Sequence, residues 1–188
     1  SWVLVGWIEA VGYIENMKRG WISLAATVVT TAAQCEPRLA RLHKLAKPLI
    51  VSPFLIARPK DPLFIAGCLA HLAGDLELMR AQPSLHRGAM YFGLGHSAFL
   101  TRLLLQGQRP RLPLAYAAAT AGMAPVIKDP KLIAYAAVLA SYCSVADTVG
   151  GTLFMISDAL IALRRSYPST FINAAIIATY GLAQYRLL

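Results

Sequence analysis

The chain has 188 residues, of which 57% are hydrophobic and only 14% charged, and its formal net charge is +9. A soluble domain usually carries about 25% charged residues, and the mean hydropathy here is +0.53, so an ordinary soluble domain is excluded. The positive charge is scattered between apolar runs, as at Arg38/Arg41/Lys44, Lys128/Lys131 and Arg164/Arg165. That is loop charge facing headgroups and water, and it excludes the basic block of a nucleic-acid binder.

Residues 1–14 come first and fit least well. They are apolar but short, and Glu9 interrupts them. They read as an interfacial helix, a half-span or an extra helix, with Trp residues suited to an interface. Residues 1–19 thus stand apart from the rest. Eight spans follow, at about 20–34, 46–58, 62–79, 87–106, 111–127, 131–146, 148–164 and 169–186. Their apolar runs are continuous and do not alternate, which argues against barrel strands. Prolines 48, 53, 59, 62, 83, 110, 113, 130 and 168 mark boundaries, and Pro53, falling inside the second span, predicts a kink there. The expected fold is all-α: a polytopic transmembrane bundle of about eight helices in a single domain over 1–188. The connections are short, so neighbouring helices are antiparallel. Loop charge is too even to orient the bundle. Cys35, Cys68 and Cys143 form no even framework, and neither a disulfide nor a metal knuckle is expected.

Ionisable groups inside spans are costly and mark function by default. In HLAGDLELM, His71 and Asp75 are four apart and project from one helix face. Gly74 thins the helix beside Asp75, and Glu77 points elsewhere, toward a pairing near Arg80. In GGTLFMISDALIAL, Gly151, Phe154 and Asp158 fall on one stripe with Ser157 beside it. Asp147 reads as a helix cap. Gly88, Phe92 and His96 are spaced by four on another span, and Lys47 opens the second as KPL. Two carboxylates on separate helices, each beside glycine or serine, read as a site.

Together these stretches resemble the YhhN family, whose characterised members are lysoplasmalogenases. The matching pieces are KPL at 47–49, GDLELM at 74–79, the Gly88/Phe92/His96 pattern, GGTLFMISDALIAL at 150–163 and TYGLAQ at 179–184. They cover the chain from about residue 20 to the end. The sequence departs from the family at His71, where a small residue or serine is expected, and near Phe99–Arg102, where an aromatic is missing. The resemblance implies an eight-span bundle that cleaves the alkenyl ether bond of lysoplasmalogens, giving a fatty aldehyde and a glycerophospho-ethanolamine or -choline. It implies Asp75 and Asp158 as the catalytic pair.

The residues suit that chemistry. Acid hydrolysis of a vinyl ether protonates the carbon β to oxygen, and water captures the oxocarbenium-like cation. One carboxyl must therefore hold a proton near neutral pH while another steadies the cation and activates water. Apolar surroundings and a neighbouring carboxylate both disfavour a second negative charge. Glycosidases divide two carboxyls in the same way. Lys47 is expected to attract the lipid phosphate or tune an aspartate. His96 and Ser157 are expected to hydrogen-bond the pair or the water, with His71 in support. The expected partners are a lysophospholipid substrate within the bilayer and membrane lipids, in a multi-pass protein that uses no cofactor and no metal. Two rivals remain. A metal-dependent lipid amidase could draw on His71, Asp75, His96 and Asp158, though no H-x-x-x-H or H-E-x-x-H pair exists. A transporter could use the same aspartates to relay protons, though no inverted repeat is visible.

Overall fold

Proline opens three of the helices and a side-chain cap opens five, and these fix where each begins. The computed structural model describes residues 2–56 and 61–188, and side chains only outside 2–16, 37 and 40. Eight α-helices result: α1 (Trp2–Cys35), α2 (Ala40–Ala46), α3 (Pro62–Leu78), α4 (Leu85–Leu105), α5 (Pro113–Ile127), α6 (Pro130–Val145), α7 (Thr148–Arg164) and α8 (Thr170–Leu187). Among the described residues there is no strand. Asp61, Ser84, Asp129, Asp147 and Ser169 cap α3, α4, α6, α7 and α8.

Two expectations change at the N-terminal end. The division between residues 1–14 and the first span disappears, because α1 is one continuous helix of 34 residues. The Trp side chains of that stretch lie outside the described residues. The expected span at 46–58 is not a helix of that length. After α2 the chain makes two short 3-10 turns, Lys47–Ile50 and Ser52–Ile56, and residues 57–58 lie outside the described ones. Prolines 48 and 53 account for this: each removes an N–H donor and crowds the preceding turn, which disfavours a continuous α-helix across them. Pro53 therefore sits in a turn rather than at a kink.

The length of the helices is the larger difference. At about 1.5 Å per residue, α5 is roughly 22 Å long and α3 and α7 roughly 25 Å, against an apolar bilayer core of about 30 Å. Among the described residues, no helix is long and apolar enough to cross a membrane.

Glycine sets the helix spacing. A Cβ at Gly74 would lie 2.8 Å from the Phe92 ring, and one at Gly88 would lie 2.8 Å from Leu78. The His71 ring covers Gly95 and the Phe99 ring covers Gly67. Helices α3 and α4 thus interlock in both directions, ring onto glycine, which lets the backbones approach closely. Thr27 of α1 fits Gly181 of α8 in the same way. The packed interior is rich in aromatics, with Phe64, Phe92, Phe99, Tyr142, Phe154 and Tyr180 all buried. The outer faces are apolar: Leu114 is 84% exposed, Leu105 77% and Leu94 58%.

Candidate active site

The interior holds a set of buried polar groups. Lys47, His71, Asp75, His96, Ser157 and Gln184 are all buried. A buried polar atom left without a partner costs free energy, so each should be matched.

Helices α3 and α8 meet through two polar rungs. Gln184 Nε2 donates to His71 Nδ1 at 2.8 Å. Tyr180 donates its hydroxyl to Asp75 Oδ2 at 2.5 Å. Both pairs are four residues apart on antiparallel helices, so the rungs fall one turn apart. Asp75 Oδ1 lies 3.4 Å from the Lys47 ammonium, which the turn after α2 carries inward. His71 is accommodated because Gly95 gives its ring room. It shares a face with Asp75 but bonds to Gln184, not to the carboxylate.

The second carboxylate is held differently. Tyr135 of α6 donates its hydroxyl to Asp158 Oδ2 at 2.6 Å. The same Tyr135 oxygen is 3.4 Å from His96 Nε2, so His96 reaches Asp158 only through the phenol. The His71 and His96 rings meet edge to face with centroids 4.7 Å apart. Phe154 packs against His96 (4.7 Å), Tyr180 (5.6 Å) and His71 (5.7 Å). His71 Nε2, His96 Nδ1 and Gln184 Oε1 have no hydrogen-bond partner among the described residues.

Asp75 and Asp158 make no bond to each other, yet both line one cavity of about 1270 Å³. Lys47, Phe92, Tyr135 and Tyr180 line it as well. It is larger than a typical small-molecule site of about 300–1,000 Å³. Ser157 also lines it, but its hydroxyl donates to the Ile176 carbonyl at 3.1 Å and bonds neither carboxylate. A serine in a helix often spends its proton on a nearby carbonyl, and here that carbonyl belongs to the neighbouring helix.

Other expectations resolve as structure. Asp147 caps α7 by accepting from the Gly150 N–H at 2.8 Å and pairs with Arg186. Glu77 pairs with Arg80 at 3.1 Å and, beyond what was expected, with Arg87. Among the described residues no group of three or more His, Cys, Asp or Glu side chains is placed to hold a metal ion. Tyr135, Tyr180 and Gln184 were not singled out from sequence as site residues. The available signal was that a phenol or amide in an apolar helix must find a partner, and Tyr180 and Gln184 share the helix-face spacing of His71 and Asp75.

These features define a class: an all-α bundle with two carboxylates, on different helices, opening on one large interior cavity. The YhhN family matches residues 42–188, and the chain belongs to that family. The match begins in α2, later than the resemblance from about residue 20 suggested. No curated protein and no solved structure matches the chain.

Proposed function

We propose that this protein is a membrane-embedded hydrolase that cleaves the alkenyl ether bond of lysoplasmalogens. The observation that carries the reading is the pair Asp75 and Asp158, each bound by a tyrosine hydroxyl, opening on one cavity. Membership of the YhhN family supports it.

The partners of the two carboxyls divide the roles. Asp75 faces an ammonium and so carries the negative charge. Asp158 has a phenol and, among the described residues, no cation, which favours it as the carboxyl that carries the proton. Asp158 delivers that proton to the alkenyl carbon β to oxygen. The ether oxygen's lone pair then stabilises the cation at the adjacent carbon, near the Asp75 carboxylate. Asp75 draws a proton from water as the water adds to that carbon. The hemiacetal collapses to a fatty aldehyde as its hydroxyl proton passes to the departing glycerol oxygen, and the proton taken up by Asp75 returns to Asp158. One water is consumed and no redox partner is needed.

The outward apolar surface and the polar interior support a bilayer setting. A single-chain lipid would then reach the cavity from the membrane, without a soluble lid.

Asp75→Asn and Asp158→Asn should each lower turnover of lysoplasmalogen by roughly 100-fold or more, with helical content in detergent unchanged. Mass spectrometry of released fatty aldehyde reads the outcome. Wild-type turnover in both variants would remove the two-carboxylate mechanism.

A further inference from the structure

The cavity mouth carries charge that the chemistry above does not use. Lys128 ends α5, Arg164 and Arg165 end α7, and all three line the cavity and are exposed at its mouth. Asn173, in the first turn of α8, also lines the cavity and accepts from Arg164 Nη1 at 3.3 Å. Lys128 and Arg165 have no ion-pair partner among the described residues. The nearest acidic residue in sequence, Asp129, is already engaged: His86 binds it at 2.6 Å, and the Lys131 and Leu132 N–H groups donate to it.

Backbone strain singles out Lys128. Its φ is +56°, the left-handed region, and it is the one non-glycine residue there among those described. Glycine is the usual residue where a helix ends this way, because a side chain costs energy in that conformation. A strained residue held at a cavity mouth points to a function for its side chain.

We propose that Lys128, Arg164 and Arg165 form the subsite for the phosphate of a single-chain phospholipid whose tail fills the cavity. The assignment rests on the reading of the cavity as a lipid site. Lys47 cannot serve, being only 7% exposed and paired with Asp75. Register supports the mouth. Arg165 follows Asp158 by seven residues, two turns on the same helix face, about 10 Å along the axis. The glycerol of a lysophospholipid separates its ether oxygen from its phosphate by a few bonds, which suits that spacing.

The test measures binding, not turnover. The probe is a saturated 1-alkyl lysophosphocholine, which has no vinyl ether to cleave. It is compared with the matching neutral 1-alkylglycerol and with inorganic phosphate, all by calorimetry on the full chain in detergent. The wild type should bind the phospholipid more tightly than the alkylglycerol. The Arg164→Gln/Arg165→Gln variant should weaken phospholipid binding by about 10-fold or more and leave alkylglycerol binding unchanged. Lys128→Gly should weaken it too, yet raise the thermal unfolding midpoint, because glycine relieves the backbone. That combination separates a binding role from a merely structural one. Equal phospholipid affinity in the variants and wild type, no binding of the probe by the wild type, or no preference over alkylglycerol overturns the subsite. Inorganic phosphate competing as tightly as the phospholipid overturns the lipid assignment in favour of a free-phosphate site. Tight, variant-sensitive binding with no cleavage of lysoplasmalogen would sink the hydrolase reading and leave the subsite standing.

Discussion

Asp75 has a cation beside it and Asp158 has none among the described residues, and this asymmetry has an energetic consequence. A buried ion pair broken at one end leaves an uncompensated charge, at a cost of about 3–5 kcal/mol. Lys47→Met should therefore destabilise the protein by about that much. Adding Asp75→Asn removes the stranded charge and should recover most of the loss. Thermal unfolding of both variants in detergent checks this; losses that simply add would show that the pair is not coupled. The two aspartates were legible in the sequence because an ionisable group in an apolar run is conspicuous. The tyrosines holding them were not, because a tyrosine in such a run is compatible with an ordinary core. Tyr135 pairs across 23 residues and Tyr180 across 105, separations that local spacing cannot reveal. Ser157 shows the reverse: its position beside Asp158 was legible, but not the Ile176 carbonyl that takes its proton.

At the scale of helices, contact between α3 and α4 depends on glycines facing rings. The Phe92 ring over Gly74 is also packed by His71 and Tyr180, so it has little room to retreat. Gly74→Ala should cost about 1–3 kcal/mol through overpacking. Gly122 of α5 is the control. A Cβ there meets nothing within 4 Å, so Gly122→Ala should stabilise by roughly 0.5–1 kcal/mol through helix propensity alone. Unfolding midpoints of the two variants should move in opposite directions. The junction of α7 and α8 has a pH signature. Partial burial raises the Asp147 carboxyl, but the Gly150 N–H and the Arg186 guanidinium outweigh it and hold the group below its usual 3.8. The stabilisation is therefore complete above about pH 4 and is lost as pH falls through the depressed value. Asn caps as well as Asp, so Asp147→Asn removes the charge and keeps the cap. The variant should lose a few tenths to about 1 kcal/mol at neutral pH, and the gap should close below about pH 4. A constant gap across a pH series of melting curves would mean the charge contributes nothing. Caps at Asp147 and boundaries at proline were readable because both follow from local chemistry. The segment 46–58 was misread as a span because its apolar content outweighed its two prolines. Helix α1 (Trp2–Cys35) reads as two segments in the sequence because Glu9 and Lys18/Arg19 break the apolar run without breaking the helix.

For the whole molecule, the short helices imply a preference among bilayers. Helices α3, α5, α6 and α7 run roughly 22–25 Å, short of a hydrocarbon core of about 30 Å. In the membrane setting proposed above, the surrounding lipid must thin to meet them, at a cost of a fraction of a kcal/mol per Å. The protein would then sort toward thinner membranes. Proteoliposomes made from shorter-chain phosphatidylcholines should hold more folded, active protein than those made from longer-chain ones, with headgroup and unsaturation kept the same. Activity indifferent to chain length would argue against the thinning. Thickness would then act as a regulator: under the proposed function, the lipid around the protein, as well as the lipid it acts on, would set how much of the protein works.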